Sequence, residues 1–244
     1  MSATARIASE RNFHDAQARA RALTFAHEPH RLQFSDDEYL NHEPWVRPAM
    51  ARLGDVRGKR VLDLGCGHGM AAVVLARRGA RVTACDLSPG YVTEAQQRAA
   101  ANGVSIRFNT ADAEHLPYAD HSFNAVWGHA ILHHLDVPTA ARELRRVLKP
   151  SGVAVFCEPW AGNPLLRAAR RWLTHTPDEQ PLSRAQVAQL REVFGEVSVQ
   201  GWQLVSMLRR VVPLPRALAR LDARILRSIP LLSNWCRYAV LVIR

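Results

Sequence analysis

The run Val61-Leu-Asp-Leu-Gly65-Cys-Gly67-His-Gly69 limits what this chain can fold into more than any other feature. Its apolar start reads as a short strand, and the Ala- and Val-rich residues 70–78 that follow read as a helix closed by Gly79. Glycines at the junction let the backbone turn tightly and approach a ligand closely, while the first amides of the helix stay free to face it. Two other glycine loops are excluded. A dinucleotide fingerprint, G-x-G-x-x-G, needs glycine where Met70 stands, and a phosphate-binding P-loop needs a Gly-Lys-Ser/Thr that does not follow. Asp63, just before the glycines, would repel a pyrophosphate but suits a ligand that carries an ammonium or sulfonium charge.

From Lys59 onward, short apolar runs alternate with Ala-rich helical stretches. Strands are predicted at Arg60–Leu64, Arg81–Asp86, 106–110, 123–127 and 153–158, with helices at 70–78, Pro89–Ala101 and about 139–148. This alternation implies a parallel, doubly wound sheet whose ligands lie at the carboxyl ends of its strands. Residues 1–57 read as helical, with Ser35-Asp-Asp-Glu38 at capping-box spacing. Beyond Glu158 the alternation breaks. Asn163-Pro164 opens a short helix toward Trp172, Ser183-x-x-Gln186 opens another, and Val197–Trp202 and Tyr238–Ile243 are late strands around a helical insertion. Leu148-Lys-Pro-Ser-Gly152 is expected to be a structural turn.

The composition, 48% hydrophobic and 22% charged, is globular and excludes long disordered tracts. No apolar run is long enough to span a bilayer. The polar start MSATARIASERNFHD predicts no secretory signal, and four widely spaced cysteines predict reduced thiols in a cytoplasmic protein with no metal site. The charge of +10 is the unusual global property, pointing either to an acidic partner or to nothing beyond an Arg-rich composition.

VLDLGCGHG resembles motif I of the class I S-adenosylmethionine-dependent methyltransferases, and the resemblance extends over roughly residues 58–160. It implies a Rossmann-like, mostly parallel seven-stranded sheet at 58–244, with 1–57 as a helical lid and insertions at about 159–194 and 204–235. It also implies that the loop (Asp63, Gly65, Cys66, Gly67, Gly69) cradles the amino-acid part of S-adenosylmethionine, which leaves as S-adenosylhomocysteine. Asp86 ends the second strand 86 − 63 = 23 residues after Asp63, a helix and a strand later. A carboxylate there, with Leu87 beside it, can accept both ribose hydroxyls, as in dinucleotide folds; the alternative is a helix cap. By position in the resemblance, Asp112 and Ala113 meet the adenine, although Asp112 is equally a turn residue, and the Gly128 backbone meets the methionyl part. His14 is expected to touch cofactor or substrate from the lid, or else to be a surface helix residue.

Methyl transfer from a sulfonium is an in-line displacement, so the protein chiefly aligns the acceptor, excludes water and supplies any base the acceptor needs. The candidates stand where the fourth and fifth strands end: His133 and His134, of which one serves packing, and Glu158, which holds an acceptor amine or orients a histidine. No carboxylate pair adjoins these histidines in sequence, which argues against a metal-assisted mechanism. Trp160, Leu165, Leu166 and Trp172 either line an apolar acceptor pocket or cap the sheet. Leu214, Leu218, Leu221 and Ile225 form a stripe opposite Arg216, Arg220, Arg224 and Arg227, so the helix at about 214–227 either lies on an anionic bilayer or packs on its own domain with the Arg face solvated. The leading expectation is a small-molecule methyltransferase. Its rivals are an RNA methyltransferase, for which the Asn/Asp-Pro-Pro-Tyr/Phe motif is missing at Trp127-Gly-His-Ala, and a cofactor-binding protein without catalysis.

Overall fold

The structure, a computed structural model, describes residues 3–163, 180–210 and 215–244. One seven-stranded sheet runs in the order β3-β2-β1-β4-β5-β7-β6. The strands are β1 (Arg60–Leu64), β2 (Arg81–Asp86), β3 (Arg107–Thr110), β4 (Phe123–His129), β5 (Leu148–Pro159), β6 (Val197–Trp202) and β7 (Tyr238–Ile243). β1 to β5 pair in parallel, and β7 runs antiparallel between β5 and β6. Among the described residues the helices are α1 (Ala3–His27), α2 (Asp36–Leu40), α3 (Val46–Ala51), α4 (Met70–Arg77), α5 (Pro89–Ala101), α6 (Val137–Val147), α7 (Arg184–Phe194) and α8 (Pro215–Ser228).

The period of two along each strand divides the core. Val61 of β1 and Val155 of β5 face α2 to α5, in a cluster with Trp45, Met50 and Ala71 to Leu75. Their neighbours Leu62, Leu64 and Phe156 face α6 and α7, with Leu144 and Leu190. Both faces are therefore covered, and β1 reads as nearly continuous apolar sequence because it is buried on both sides. The chain leaves β1 toward β2 and β3, then returns to place β4 on the other side of β1. That reversal opens a crevice above the carboxyl ends of β1 and β4.

Sequence and structure differ at a few element ends. β4 continues two residues past the predicted end because Gly128 and His129 pair with Phe156 and Cys157. α6 begins at Val137, two residues early, where the Asp136 side chain accepts from the Thr139 amide at 3.1 Å. The predicted 148–152 turn lies inside β5, as a register shift between the pairs Phe123–Leu148 and Ala125–Val153. The Ser183 capping box forms in full, whereas Ser35 caps Glu38 without the reciprocal backbone bond. Trp160 is buried in the second cluster and pairs with Leu182, capping the sheet. Leu165, Leu166, Trp172 and Leu214 lie outside the described residues.

The cationic helix α8 is tied to its own domain by a buried acid. Asp222 accepts from the amides of Leu204 (3.1 Å), Val205 (2.7 Å) and Ser206 (3.2 Å) and from the Ser206 hydroxyl. Leu218 and Ile225 are half-buried on that side, while Arg220, Arg224 and Arg227 are exposed.

Gly128 is a packing requirement: a Cβ there would stand 2.4 Å from the Phe156 ring, which is fully buried on β5. Gly128→Ala is expected to destabilise the fold by about 1–3 kcal/mol through overpacking. Phe156→Leu in the same chain should recover part of that loss in urea unfolding; no recovery would show that the ring is not what excludes the methyl group.

Candidate active site

The glycine loop is held by groups from β2 and α5. Gly67 adopts φ 48°, and a Cβ on it would meet nothing within 4 Å, so its bare backbone forms open crevice wall. Gly69 (φ 81°) starts α4, and a Cβ there would lie 2.6 Å from Ala95 Cβ, so it sets how closely α4 approaches α5. Asp86 at the end of β2 binds the loop from below: its Oδ2 accepts from the Gly67 amide at 2.8 Å and its Oδ1 from the Ser88 amide at 2.9 Å. Ser88 itself caps α5 by accepting from the Tyr91 amide at 3.0 Å. Arg98 of α5, buried and paired with Glu94 at 2.9 Å, donates to the His68 carbonyl at 2.8 Å.

Asp63 lies beneath this loop, 2% exposed, and its Oδ2 has no hydrogen-bond partner among the described residues. Burial pushes its carboxyl up to about 7, against a pull downward from the Ala72 amide and with a further upward push from Asp86. A buried carboxyl with one oxygen unpartnered is a group prepared for a cation. Burial also raises Asp86, moderated by its two amide donors, and raises the Cys66 thiol well above the ordinary range.

The crevice above holds about 940 Å³ of open volume. Of the residues singled out in sequence, Gly65, Gly67, Asp86, Leu87, Asp112, Ala113, His14 and His134 line it. Asp112 does so as a turn residue, its Oδ1 accepting from the Glu114 amide at 2.9 Å. Asp63, Cys66, Gly69 and Gly128 lie behind the wall; Cys66 belongs to the core beneath the loop.

His133 and Glu158 also lie behind the wall, and there the structure joins them. Glu158, fully buried, accepts from His133 Nδ1 at 2.7 Å through Oε2 and from the Ile131 and Leu132 amides at 3.0 and 2.9 Å through Oε1. Both carboxylate oxygens are thereby engaged in holding the turn at Leu132–His134, and the His133 ring supports His134 at a centroid distance of 4.0 Å. His134 alone of the pair reaches the crevice.

The lining also contains residues that sequence reading passed over: Arg6, Ile7 and Glu10 on α1, His68 in the loop, and His129 at the end of β4. His68 and His129 were visible within quoted motifs. For each, burial lowers the imidazole to about 4, so both stay neutral. Glu10 carried a weaker signal, its i,i+4 spacing to His14. Its Oε1 lies 3.2 Å from His134 Nδ1 and its Oε2 3.3 Å from His14 Nε2. A single carboxylate from α1 thus adjoins His134 in space, and ligand atoms of the three residues lie within 4.8 Å of one another. α1 is fastened over the crevice mouth by Arg6 to the His134 carbonyl and to Glu114 (2.6 Å), by Asp15 to the Ser88 hydroxyl and the Gly90 amide (3.0 Å), and by Arg21 to Glu94 (2.9 Å).

Comparison with known proteins places this site in context. Residues 62–156 match the methyltransferase domain family. The chain is similar to methyltransferase GfsG of Streptomyces halstedii, 42% identical over 41% of this chain and 38% of the relative. It is also similar to demethylmenaquinone methyltransferase of Thermobifida fusca, 40% identical over 47% of this chain and 49% of the relative. The chain thus aligns with about half or less of the length of these curated relatives. Its fold is similar to that of an S-adenosylmethionine-dependent methyltransferase from Mesorhizobium loti, with a TM-score of 0.61, 20% identity and coverage of 84% of this chain and 99% of that one.

Asp63 gives the site a pH signature. Its folded value, about 7, stands above the ordinary 3.8, so the native chain holds this proton more tightly than the unfolded chain does. Stability from this group is present below pH 4 and is lost as pH rises toward 7. Asp63→Asn removes the penalty, and its stability relative to the unmodified chain should rise by on the order of a few kcal/mol between pH 4 and pH 8. Denaturant unfolding of both proteins at the two values measures this; a constant difference would contradict a raised Asp63.

Proposed function

We propose that this chain is a class I S-adenosylmethionine-dependent methyltransferase that moves a methyl group from S-adenosylmethionine to a small-molecule acceptor in the crevice above β1 and β4. The unpartnered Oδ2 of buried Asp63, beneath the glycine loop, carries this reading: a carboxyl left in that state is completed by a cation, and the cofactor's amino-acid end brings an ammonium. The residues present fit the group. These residues line the crevice, where Gly65 and Gly67 would flank its methionyl part, Asp86 and Leu87 the ribose, and Asp112 and Ala113 the adenine, with His14 covering it from α1. Asp63 acts from beneath the loop, and Cys66, Gly69 and Gly128 act by shaping it.

Once bound, the cofactor supplies an electrophilic methyl carbon that already carries a good leaving group. The chain's contribution is positioning, exclusion of water and proton handling. α1, within the lid segment 1–57, closes the mouth through its bonds to the His134 turn and to α5. His68 and His129, kept neutral by burial, give walls that do not repel a sulfonium. His134 is the group in the lining suited to accept an acceptor's proton, and His133 with Glu158 fixes the turn that presents it.

The acceptor fits an apolar or lipid-like molecule, since Ile7, Ile131 and Leu135 line the crevice. The similarity to a demethylmenaquinone methyltransferase supports the same class. Among the described residues no helix is long and apolar enough to cross a membrane. Peripheral contact with an anionic bilayer runs through α8, where Arg220, Arg224 and Arg227 are exposed beside Leu221, 43% exposed. Binding to phosphatidylserine vesicles should therefore vanish in high salt and in the charge-reversed Arg220→Glu/Arg224→Glu protein. Equal binding by both proteins would remove this contact.

Calorimetry with S-adenosylhomocysteine, NAD and RNA separates the classes. Heat with the first alone is expected, and salt-sensitive binding of RNA would favour the nucleic-acid alternative. Asp86→Asn replaces a charged acceptor with a neutral one and should weaken S-adenosylhomocysteine binding about tenfold or more, since a hydrogen bond to a charged group contributes about 1.5–3 kcal/mol. Unaltered affinity in that variant would refute the ribose assignment.

A further inference from the structure

We propose that Glu10, carried by α1, is the positioning residue that sets His134 up as the proton acceptor, so that the base is complete only when α1 lies over the crevice. The inference rests on the methyl-transfer reading above and adds a coupling between closure and proton transfer. The His134 ring is fixed from three directions. It stacks on His133 at 4.0 Å, meets the edge of His14 at 6.0 Å, and places Nδ1 3.2 Å from Glu10 Oε1. With Nδ1–H donating to the carboxylate, the lone pair resides on Nε2, which has no hydrogen bond to any described residue and belongs to a ring that lines the crevice. This is the logic by which a buried acid orients a catalytic imidazole elsewhere.

The turn that bears His134 has no carboxylate of its own for the task. Glu158, the acid beneath it, is engaged by His133 and two amides, so the orienting group arrives from 124 residues earlier. Hydrogen bonds from His134 and His14 hold the Glu10 carboxyl well below its ordinary range, which keeps it an acceptor at any working pH. Arg6, one turn before Glu10 on α1, grips the His134 carbonyl and Glu114, and Glu114 in turn accepts from the Asp136 amide at 2.7 Å. The titratable and charged groups that face His134 are thus Arg6, Glu10 and His14 from α1, His133 from its own turn, and Glu114 from the segment after β3.

In the step itself, the acceptor atom's lone pair forms the bond to the methyl carbon. The carbon–sulfur bond breaks with its electron pair left on sulfur, and the acceptor's proton passes to Nε2 of His134. An α1 that swings away removes Glu10 and leaves the imidazole free to put its proton on the wrong nitrogen.

The test needs no acceptor. Full-length chain labelled with ¹⁵N-histidine is saturated with S-adenosylhomocysteine, and multiple-bond ¹H–¹⁵N spectra report the tautomer of His134, assigned through His134→Gln. The expected result is an Nδ1–H tautomer at pH 8 and a shift toward Nε2–H in Glu10→Gln. A wild-type spectrum with the proton on Nε2, or an unchanged tautomer in Glu10→Gln, overturns the proposal. So does zinc binding that Glu10→Gln abolishes, which would make Glu10, His14 and His134 a metal triad. Failure of the wild-type protein to bind S-adenosylhomocysteine would count instead against the methyltransferase reading.

Discussion

Two backbone amides converge on the side chain of Asp86, and the geometry of the site descends from that convergence. One amide belongs to Gly67 in the loop after β1, the other to Ser88 at the start of α5. A single carboxylate thereby locks the first two strand-to-helix junctions together. Hydrogen bonds to an ionised acceptor are shorter and stronger than neutral ones, so the loop is held in register before any ligand arrives. Ser88 extends the junction by capping α5 and by meeting Asp15 of α1. The loop, the second helix and the covering helix thus share one small polar hinge.

Around this hinge the electrostatics follow from burial. Asp63 and Asp86 are both pushed upward by desolvation, and Asp86 raises Asp63 further. His68 and His129 are pushed downward by the same cause and stay neutral. The crevice therefore offers acidic groups and no buried imidazolium, an environment that favours a positively charged ligand. Arg98 is the buried cation nearby, and it is directed away from the crevice by its pairing with Glu94 and by its bond to the His68 carbonyl.

The covering helix shows how a weakly patterned segment acquires a defined place. α1 has little apolar patterning, and its attachment is polar: Arg6, Asp15 and Arg21 each meet a group fixed by the sheet or by α5. Such bonds are partly open to water, so each contributes modestly and together they are reversible. That is a suitable construction for an element that must admit a cofactor and then exclude solvent. α8 is the contrast, since buried Asp222 ties it permanently to the chain after β6.

Much was legible from sequence for local reasons. β1, β2, β6 and β7 have the predicted bounds because apolar periodicity and glycine or proline stops act within a few residues, and the parallel pairing of β1 to β5 follows from their alternation with helices, while the count of seven strands was implied by the family resemblance. Asp63 and Asp86 could be singled out because each adjoins a motif whose geometry the loop dictates. The sequence was less informative where distance along the chain is large. It left open which of His133 and His134 faces outward, and packing decided this by turning His133 onto Glu158 and His134 into the crevice. It gave Gly128 a place near the cofactor, whereas the Phe156 ring across the β4–β5 ladder is what excludes a side chain there. It offered Glu158 as the acid that orients a histidine, which packing assigned to His133, whereas Glu10 becomes the neighbour of His134 only after α1 docks across α5. Short-range backbone preference is written in the order of residues, but which side chains meet across a hundred residues is set by the simultaneous burial of two core faces.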